Sequence, residues 1–272
     1  MKINKPKFWD KKKKNILSYL LIPFTLPVII NNFFLKFKTK KKSNKIKSIC
    51  VGNIYVGGTG KTPATIELYK LLNKSNYKVT TAKKFYEKHI DEQLILKKKT
   101  NFILSSTRQK ALSKAINNNN DLIIFDDGLQ EKNIEYNLKI VCFNCKNWIG
   151  NGQLIPAGPL REKLSSIKKY DIIFLNGDED YKEINLIKKK IYEINSNILV
   201  FETKYVAINL EKIDHSNKFL AFSGIGNPNN FKKTLLDNKI NIVREINYPD
   251  HYNYSKKDII YIKDQAKKMN AK

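Results

Sequence analysis

Residues 46–72 constrain the fold of this chain more than any other stretch. A β-branched, apolar run at 46–51 leads into Val56-Gly57-Gly58-Thr59-Gly60-Lys61-Thr62, and an apolar helical pattern follows at 62–72. Glycines at such a junction let backbone amides turn toward a phosphate, and the helix behind them presents its positive end to it. In that setting Gly57, Gly58, Thr59 and Gly60 cradle phosphate oxygens, Lys61 reaches the β and γ phosphates, and the Thr62 hydroxyl binds magnesium. Tyr55 stands where the strict phosphate-loop pattern has its first glycine, so the match is to the second half of the pattern.

Downstream, short β-branched runs alternate with helical patterns. Strands are predicted at 77–81, 101–104, 121–125, 138–143, 171–175, 198–201, 218–222 and 241–246, and helices at 107–116, 181–194, 229–237 and 255–268. This alternation implies a P-loop-type α/β fold, a mainly parallel sheet flanked by helices. Residues 209–217 read as a linker, which divides the chain into an N-terminal segment (1–45), a nucleotide-binding domain (46–208) and a smaller α/β lobe (209–272). The strand at 121–125 runs into Asp126-Asp127-Gly128. Carboxylates at a strand end hold magnesium in phosphoryl-transferring sites, and the same pair also occurs in plain turns.

The formal charge is +26, from 51 Lys and Arg against 25 Asp and Glu. Such an excess draws a chain toward nucleic acid, an anionic membrane surface or a phosphorylated substrate. Nucleic acid is disfavoured, because Arg108, Arg161 and Arg244 are the only guanidinium forks available to bases and phosphates. Cys50, Cys142 and Cys145 are too few for a disulfide framework and fit a reducing compartment. The Cys142-x-x-Cys145 pair ends a strand, with no second pair and no nearby His, which argues against redox or zinc chemistry.

Residues 16–30 form an apolar run interrupted by Pro23 and Pro27, with lysines at 11–14 before it and a lysine-rich stretch at 36–47 after it. A spanning helix needs about 20 apolar residues, more than this run supplies. It is predicted to lie on an anionic membrane surface, with apolar side chains in the acyl boundary and lysines on headgroups. The alternative is a helix packed on the domain's own core. No small-residue cleavage site follows, which argues against a secretory signal.

Several motifs in order resemble the tetraacyldisaccharide 4'-kinase family over nearly the whole chain. They are Val51-Gly52-Asn53, Gly57-Gly58-Thr59-Gly60-Lys61-Thr62-Pro63, Asp126-Asp127-Gly128-Leu129-Gln130, Gly150-Asn151-Gly152, Pro156-Ala157-Gly158-Pro159-Leu160-Arg161-Glu162, Phe222-Ser223-Gly224-Ile225-Gly226-Asn227-Pro228, and Asp250-His251 with Tyr254. The resemblance implies ATP-dependent phosphorylation of the 4'-hydroxyl of tetraacyldisaccharide 1-phosphate, with Mg2+, in the lipid A biosynthesis of a Gram-negative bacterium. Its implied partners are that lipid A precursor disaccharide and the anionic inner-membrane surface. The implied location is the cytoplasmic face of that membrane, peripheral or monotopic.

The same resemblance implies roles for single residues. Asp91 is the base for the sugar hydroxyl and His251 orients it; Asp127 and Glu162 contact magnesium with Thr62; Arg161 faces phosphate, and Asn151 contacts substrate or phosphate. The chain departs from the family pattern in having Glu131 for a His and Lys83-Lys84-Phe85-Tyr86 for an Arg-Gly-Tyr-Gly segment. The stretch from Lys61 to Asp91 is short, and Lys272 falls where the family continues to a Thr-Glu-Lys-Asp segment, so the 209–272 lobe is expected to be truncated. Two other classes compete. A metal-chaperone-type GTPase or ATPase would share Gly57 to Thr62 and the paired aspartates, yet no Asn-Lys-x-Asp guanine reader is present. A noncatalytic membrane-surface adaptor would leave Lys61 and the carboxylates without a function.

Overall fold

The computed structural model describes residues 5–37, 41–43, 45–87, 90–131, 133–177, 183–226, 228–249 and 252–272. The chain divides into two units, residues 1–204 and 205–272. In the first unit seven strands form a parallel sheet: β1 (Lys47–Gly52), β2 (Val79–Lys84), β3 (Phe102–Ser105), β4 (Leu122–Asp126), β5 (Leu138–Asn144), β6 (Ile172–Asn176) and β7 (Leu199–Thr203). Their spatial order is β3-β2-β4-β1-β5-β6-β7. β1 pairs on both sides, with Val51 opposite Asp126 of β4 and Gly52 opposite Val141 of β5. Strand order therefore reverses around β1, and the crevice beyond its carboxyl end is where open α/β sheets take ligands.

The helices of this unit are α1 (Ile16–Leu21), α2 (Leu26–Phe37), α3 (Lys61–Lys74), α4 (Ile90–Lys99), α5 (Arg108–Asn117) and α6 (Ile184–Ile194). Successive strand residues point to opposite faces, so each strand feeds two cores. Cys50, Phe125, Val141 and Phe143 pack with Ala111 and Ala115 of α5 and with Ile187 and Ile191 of α6. Their neighbours Val51, Ile124, Ile140 and Cys142 pack with Ala64, Leu68 and Leu72 of α3. A strand buried on both faces has no polar alternation, which explains the near-continuous apolar runs in the sequence.

The second unit has a parallel pair, β8 (Phe219–Ser223) and β9 (Ile242–Asn247), with α7 (Pro228–Asp237) and α8 (Lys256–Lys268). Ser255 caps α8, its hydroxyl accepting from the Asp258 amide at 3.2 Å while Asp258 Oδ2 accepts from the Ser255 amide at 2.8 Å. This reciprocal capping fixes where the helix starts.

Predicted and observed strands agree to within three residues at their ends, but two differences affect the site. The apolar run at 16–30 breaks at a short 3-10 turn, Pro23–Thr25, and resumes as α2. Pro27 is tolerated because it falls in the first turn of that helix, where its missing N–H has no partner to lose. Helix α4 has no counterpart among the predicted helices. Its apolar residues wrap around the helix, and only Gln93 and Leu96 are buried.

Candidate active site

The loop between β1 and α3 folds back on itself through Asn53. This buried side chain donates from Nδ2 to the Gly57 carbonyl at 3.3 Å and to Thr59 Oγ1 at 3.1 Å. Gly60 precedes α3 with φ +85°, a left-handed conformation that glycine adopts without steric cost. A side chain at Gly58 would meet nothing within 4 Å, so the loop is open on that side. Its outer strand is held by the segment that carries Arg161. The Val56 amide donates to the Pro159 carbonyl at 2.8 Å and the Arg161 amide to the Ile54 carbonyl at 2.7 Å.

Tyr55, which displaces the expected first glycine, is buried away from the loop's open side. It packs with Leu154 and Leu160, accepts from Lys5 Nζ at 2.6 Å and donates to Asp10. The missing glycine is thus replaced by an anchor for the N-terminal segment.

Two carboxylates close the other side. Asp126, at the end of β4, is fully buried, and its Oδ2 accepts from Thr62 Oγ1 at 2.9 Å and from Lys83 Nζ at 2.6 Å. Among the described residues its buried Oδ1 has no hydrogen-bond partner. Asp127 turns out of the strand with φ +60° and pairs with Arg161 Nη1 at 3.0 Å. Burial pushes the Asp127 carboxyl up, but Lys61 first, and then Arg161, Lys83 and Arg108, outweigh it and hold the pKa down at about 2. Among the described residues the Lys61 ammonium makes no hydrogen bond or ion pair. The Asp127 carboxylate, the Lys61 ammonium and the glycine-rich loop are thus brought together beyond the carboxyl end of β1.

The sequence model of the family described as LpxK, tetraacyldisaccharide-1-P 4'-kinase, matches residues 16–272. The chain belongs to this kinase family. A tetraacyldisaccharide 4'-kinase of Pelagibacter ubique (strain HTCC1062) is 48% identical over 273 residues, covering all of this chain and 85% of the relative. One from Rickettsia canadensis (strain McKiel) is 34% identical over 288 residues, covering 99% of this chain and 85% of the relative. Among solved structures, LpxK from Aquifex aeolicus in complex with ATP aligns with a TM-score of 0.68 at 25% identity, covering 89% of this chain and 84% of that one.

Within this member of the LpxK family, the residues expected at the site do not all gather there. Lys61, Thr62, Asp127 and Arg161 do. Glu162 lies next in sequence to Arg161, but its carboxylate is taken up by Gln130 Nε2 at 2.9 Å, Tyr170 Oη at 2.8 Å and Lys169 Nζ at 3.1 Å, with no link to Thr62. It braces the Arg161 segment from behind. Asn151 spends both amide hydrogens inside the protein, on Ser18 Oγ and on the Ala157 carbonyl, each at 2.9 Å, and so tethers α1. Asp91 is exposed in the first turn of α4, and His251 lies outside the described residues.

Sequence reasoning paired Asp126 with Asp127 at a strand end but gave the contact beside Thr62 to Asp127, and it assigned no role in the site to Lys83 or Arg108. Asp126, rather than its neighbour, takes the Thr62 hydroxyl. Lys83 is buried against Asp126 and also against Glu92, whose Oε2 lies 2.6 Å from its Nζ. Arg108 donates to the Asp127 carbonyl and pairs with Glu131 at 3.2 Å. The departure at Glu131 is therefore matched by a local cation, a signal that becomes readable only once α5 and the 127–131 turn are in contact.

Proposed function

We propose that this chain transfers the γ-phosphoryl group of ATP to the 4'-hydroxyl of tetraacyldisaccharide 1-phosphate, on the cytoplasmic face of an anionic membrane. The observation that carries this reading is the grouping of Lys61, Thr62, Asp126, Asp127 and Arg161 around the phosphate loop of a chain from this kinase family. Loop amides at 57–61 and the N-terminus of α3 bind the phosphates, and Lys61 neutralises the oxygens of the transferring group. Arg161, fixed on Asp127, supplies a second cation to phosphate oxygens.

Thr62 and Asp126 are the residues that would hold Mg2+. The buried, unpartnered Oδ1 of Asp126 beside the Thr62 hydroxyl gives the hard oxygen donors that a hard dication takes. When bound, the ion neutralises charge on the β and γ oxygens. Asp91, at the start of α4, accepts the proton of the attacking hydroxyl, with His251 as its orienting partner in the family pattern.

The test is transfer of label from γ-labelled ATP to the disaccharide in detergent micelles. Label in the lipid supports the kinase, whereas free phosphate alone would support an ATPase and overturn the assignment. In the same assay Lys61→Ala should lower transfer about 100-fold, equivalent to about 3 kcal/mol of barrier.

A further inference from the structure

Lys83 is a cation inside the site for which the phosphate-loop chemistry has no use. Its side chain is 3% exposed, and its Nζ lies 2.6 Å from both Asp126 Oδ2 and Glu92 Oε2. Strand register puts it there: Ala82 of β2 is opposite Phe125 of β4, so the next residue on each strand lies at the same carboxyl edge. Asp126 is the carboxylate that takes the Thr62 hydroxyl. Glu92 is in the first turn of α4, directly after Asp91. One buried ammonium thus ties the floor of the nucleotide site to the N-terminal turn of the helix that bears Asp91.

We infer that Lys83 is a positioning residue for phosphoryl transfer: by bridging Asp126 and Glu92 it fixes the first turn of α4, and Asp91 with it, relative to the phosphate loop. The inference rests on the kinase reading above. It follows from the cost of the alternative, since two carboxylates this close to one buried cation cannot separate without stranding a charge. Protein kinases use the same physical device, a strand lysine paired with a helix glutamate that must be in place before transfer.

Lys83→Met would leave Asp126 buried and unpaired and risks unfolding, so the primary variant is Glu92→Gln, which keeps shape and leaves the Lys83–Asp126 pair intact. Three measurements are made on the full chain: turnover at saturating ATP and disaccharide, ATP affinity without acceptor, and amide hydrogen exchange at residues 94–96, whose amides bond the carbonyls of the first turn of α4. The expected result is a tenfold or greater loss of kcat, an ATP Kd within about threefold of wild type, and at least tenfold faster exchange confined to the start of α4. In a folded background, the double variant Lys83→Met/Glu92→Leu should lose no more kcat than Lys83→Met alone, because the two residues act as a unit.

Unchanged exchange at 94–96, or unchanged kcat, in folded Glu92→Gln would overturn the inference. So would a parallel fall in kcat, ATP affinity and global protection, which marks a merely structural pair. Wild-type protein that transfers no label to the disaccharide overturns the kinase reading and the catalytic role with it, while the exchange measurement still decides whether the bridge holds α4.

Discussion

Asp126 and Asp127 are adjacent residues whose surroundings give them different work. Asp126 is fully buried at the end of β4 and shares one oxygen between Thr62 and Lys83, while Asp127 leaves the strand and meets Arg161. Asp126→Asn should therefore be the more damaging change. It weakens a buried ion pair, a loss that commonly costs about 3–5 kcal/mol, and removes the carboxylate that fits a metal. Chemical denaturation and magnesium titration of nucleotide binding would both register it, and a variant with normal values in both would refute the assignment. Asp127 is better tested by pH. Its carboxyl is held at about 2 against an ordinary 3.8, so its contribution to stability is fully present above 3.8 and is lost as pH falls through about 2. The contribution amounts to about 2 kcal/mol, and Asp127→Asn should flatten that part of the stability profile between pH 4 and 2. An unaltered difference between wild type and variant across that window would exclude the Lys61 and Arg161 field as its cause. Lys61, Thr62 and the aspartate pair were legible in the sequence because each lies in a short local motif. Lys83 was not, because its meaning depends on a register between β2 and β4 that links residues 43 positions apart.

At the scale of elements, the turn after β4 is packed too closely to take an added methyl group without a shift. A Cβ at Gly128 would lie 2.7 Å from Tyr136 Oη, 2.9 Å from Arg108 Nε and 3.1 Å from Cys50 Sγ. Overpacking of this kind typically costs about 1–3 kcal/mol, so Gly128→Ala should lower the urea midpoint and loosen the Arg108–Asp127 contact. A variant with wild-type stability would mean that Arg108 moves aside freely. The sheet and most helices were legible because their patterns are strong: β1, β4 and β5 are apolar on both faces, and β-branched residues bounded by polar loops mark their ends. Helix α4 was missed for a physical reason. Its sequence, Ile-Asp-Glu-Gln-Leu-Ile-Leu-Lys-Lys-Lys, has no clear apolar face, and what identifies it is charge, with acids in the first turn and lysines in the last matching the helix dipole. The role of the 154–161 segment was legible only as a family motif, because its work is done by backbone bonds to the phosphate loop, which leave no side-chain signature.

For the whole molecule, the helices ahead of the phosphate-loop domain invert the usual amphipathic arrangement. Ser18 and Thr25 are buried, whereas Ile16, Leu20, Phe24 and Phe34 are 79%, 65%, 66% and 62% exposed. Polar groups face the protein because that is where their partners are: Asn151 bonds Ser18, and Asn32 of α2 donates to the Arg161 carbonyl at 2.9 Å. Among the described residues these four side chains are left largely uncovered, and no helix is long and apolar enough to cross a membrane. An apolar face held outward on a chain of formal charge +26 fits adsorption to an anionic bilayer, with the rings in the acyl boundary and lysines over the headgroups. The paired substitution Phe24→Asp/Phe34→Asp should weaken binding to vesicles of anionic phospholipid by well over tenfold. Each fully buried aromatic ring contributes about 1.5–3 kcal/mol, and tenfold requires about 1.4 kcal/mol. High salt should weaken wild-type binding without abolishing it, because screening acts on the lysines and leaves apolar burial intact. If 1 M salt strips the wild-type chain completely, or the double substitution leaves binding unchanged, the exposed rings do not enter the bilayer and charge alone accounts for the attraction. Both substituted side chains are exposed, so folding and phosphate transfer to a micellar substrate at saturating concentration serve as internal controls, and a loss confined to vesicles locates the effect in membrane contact.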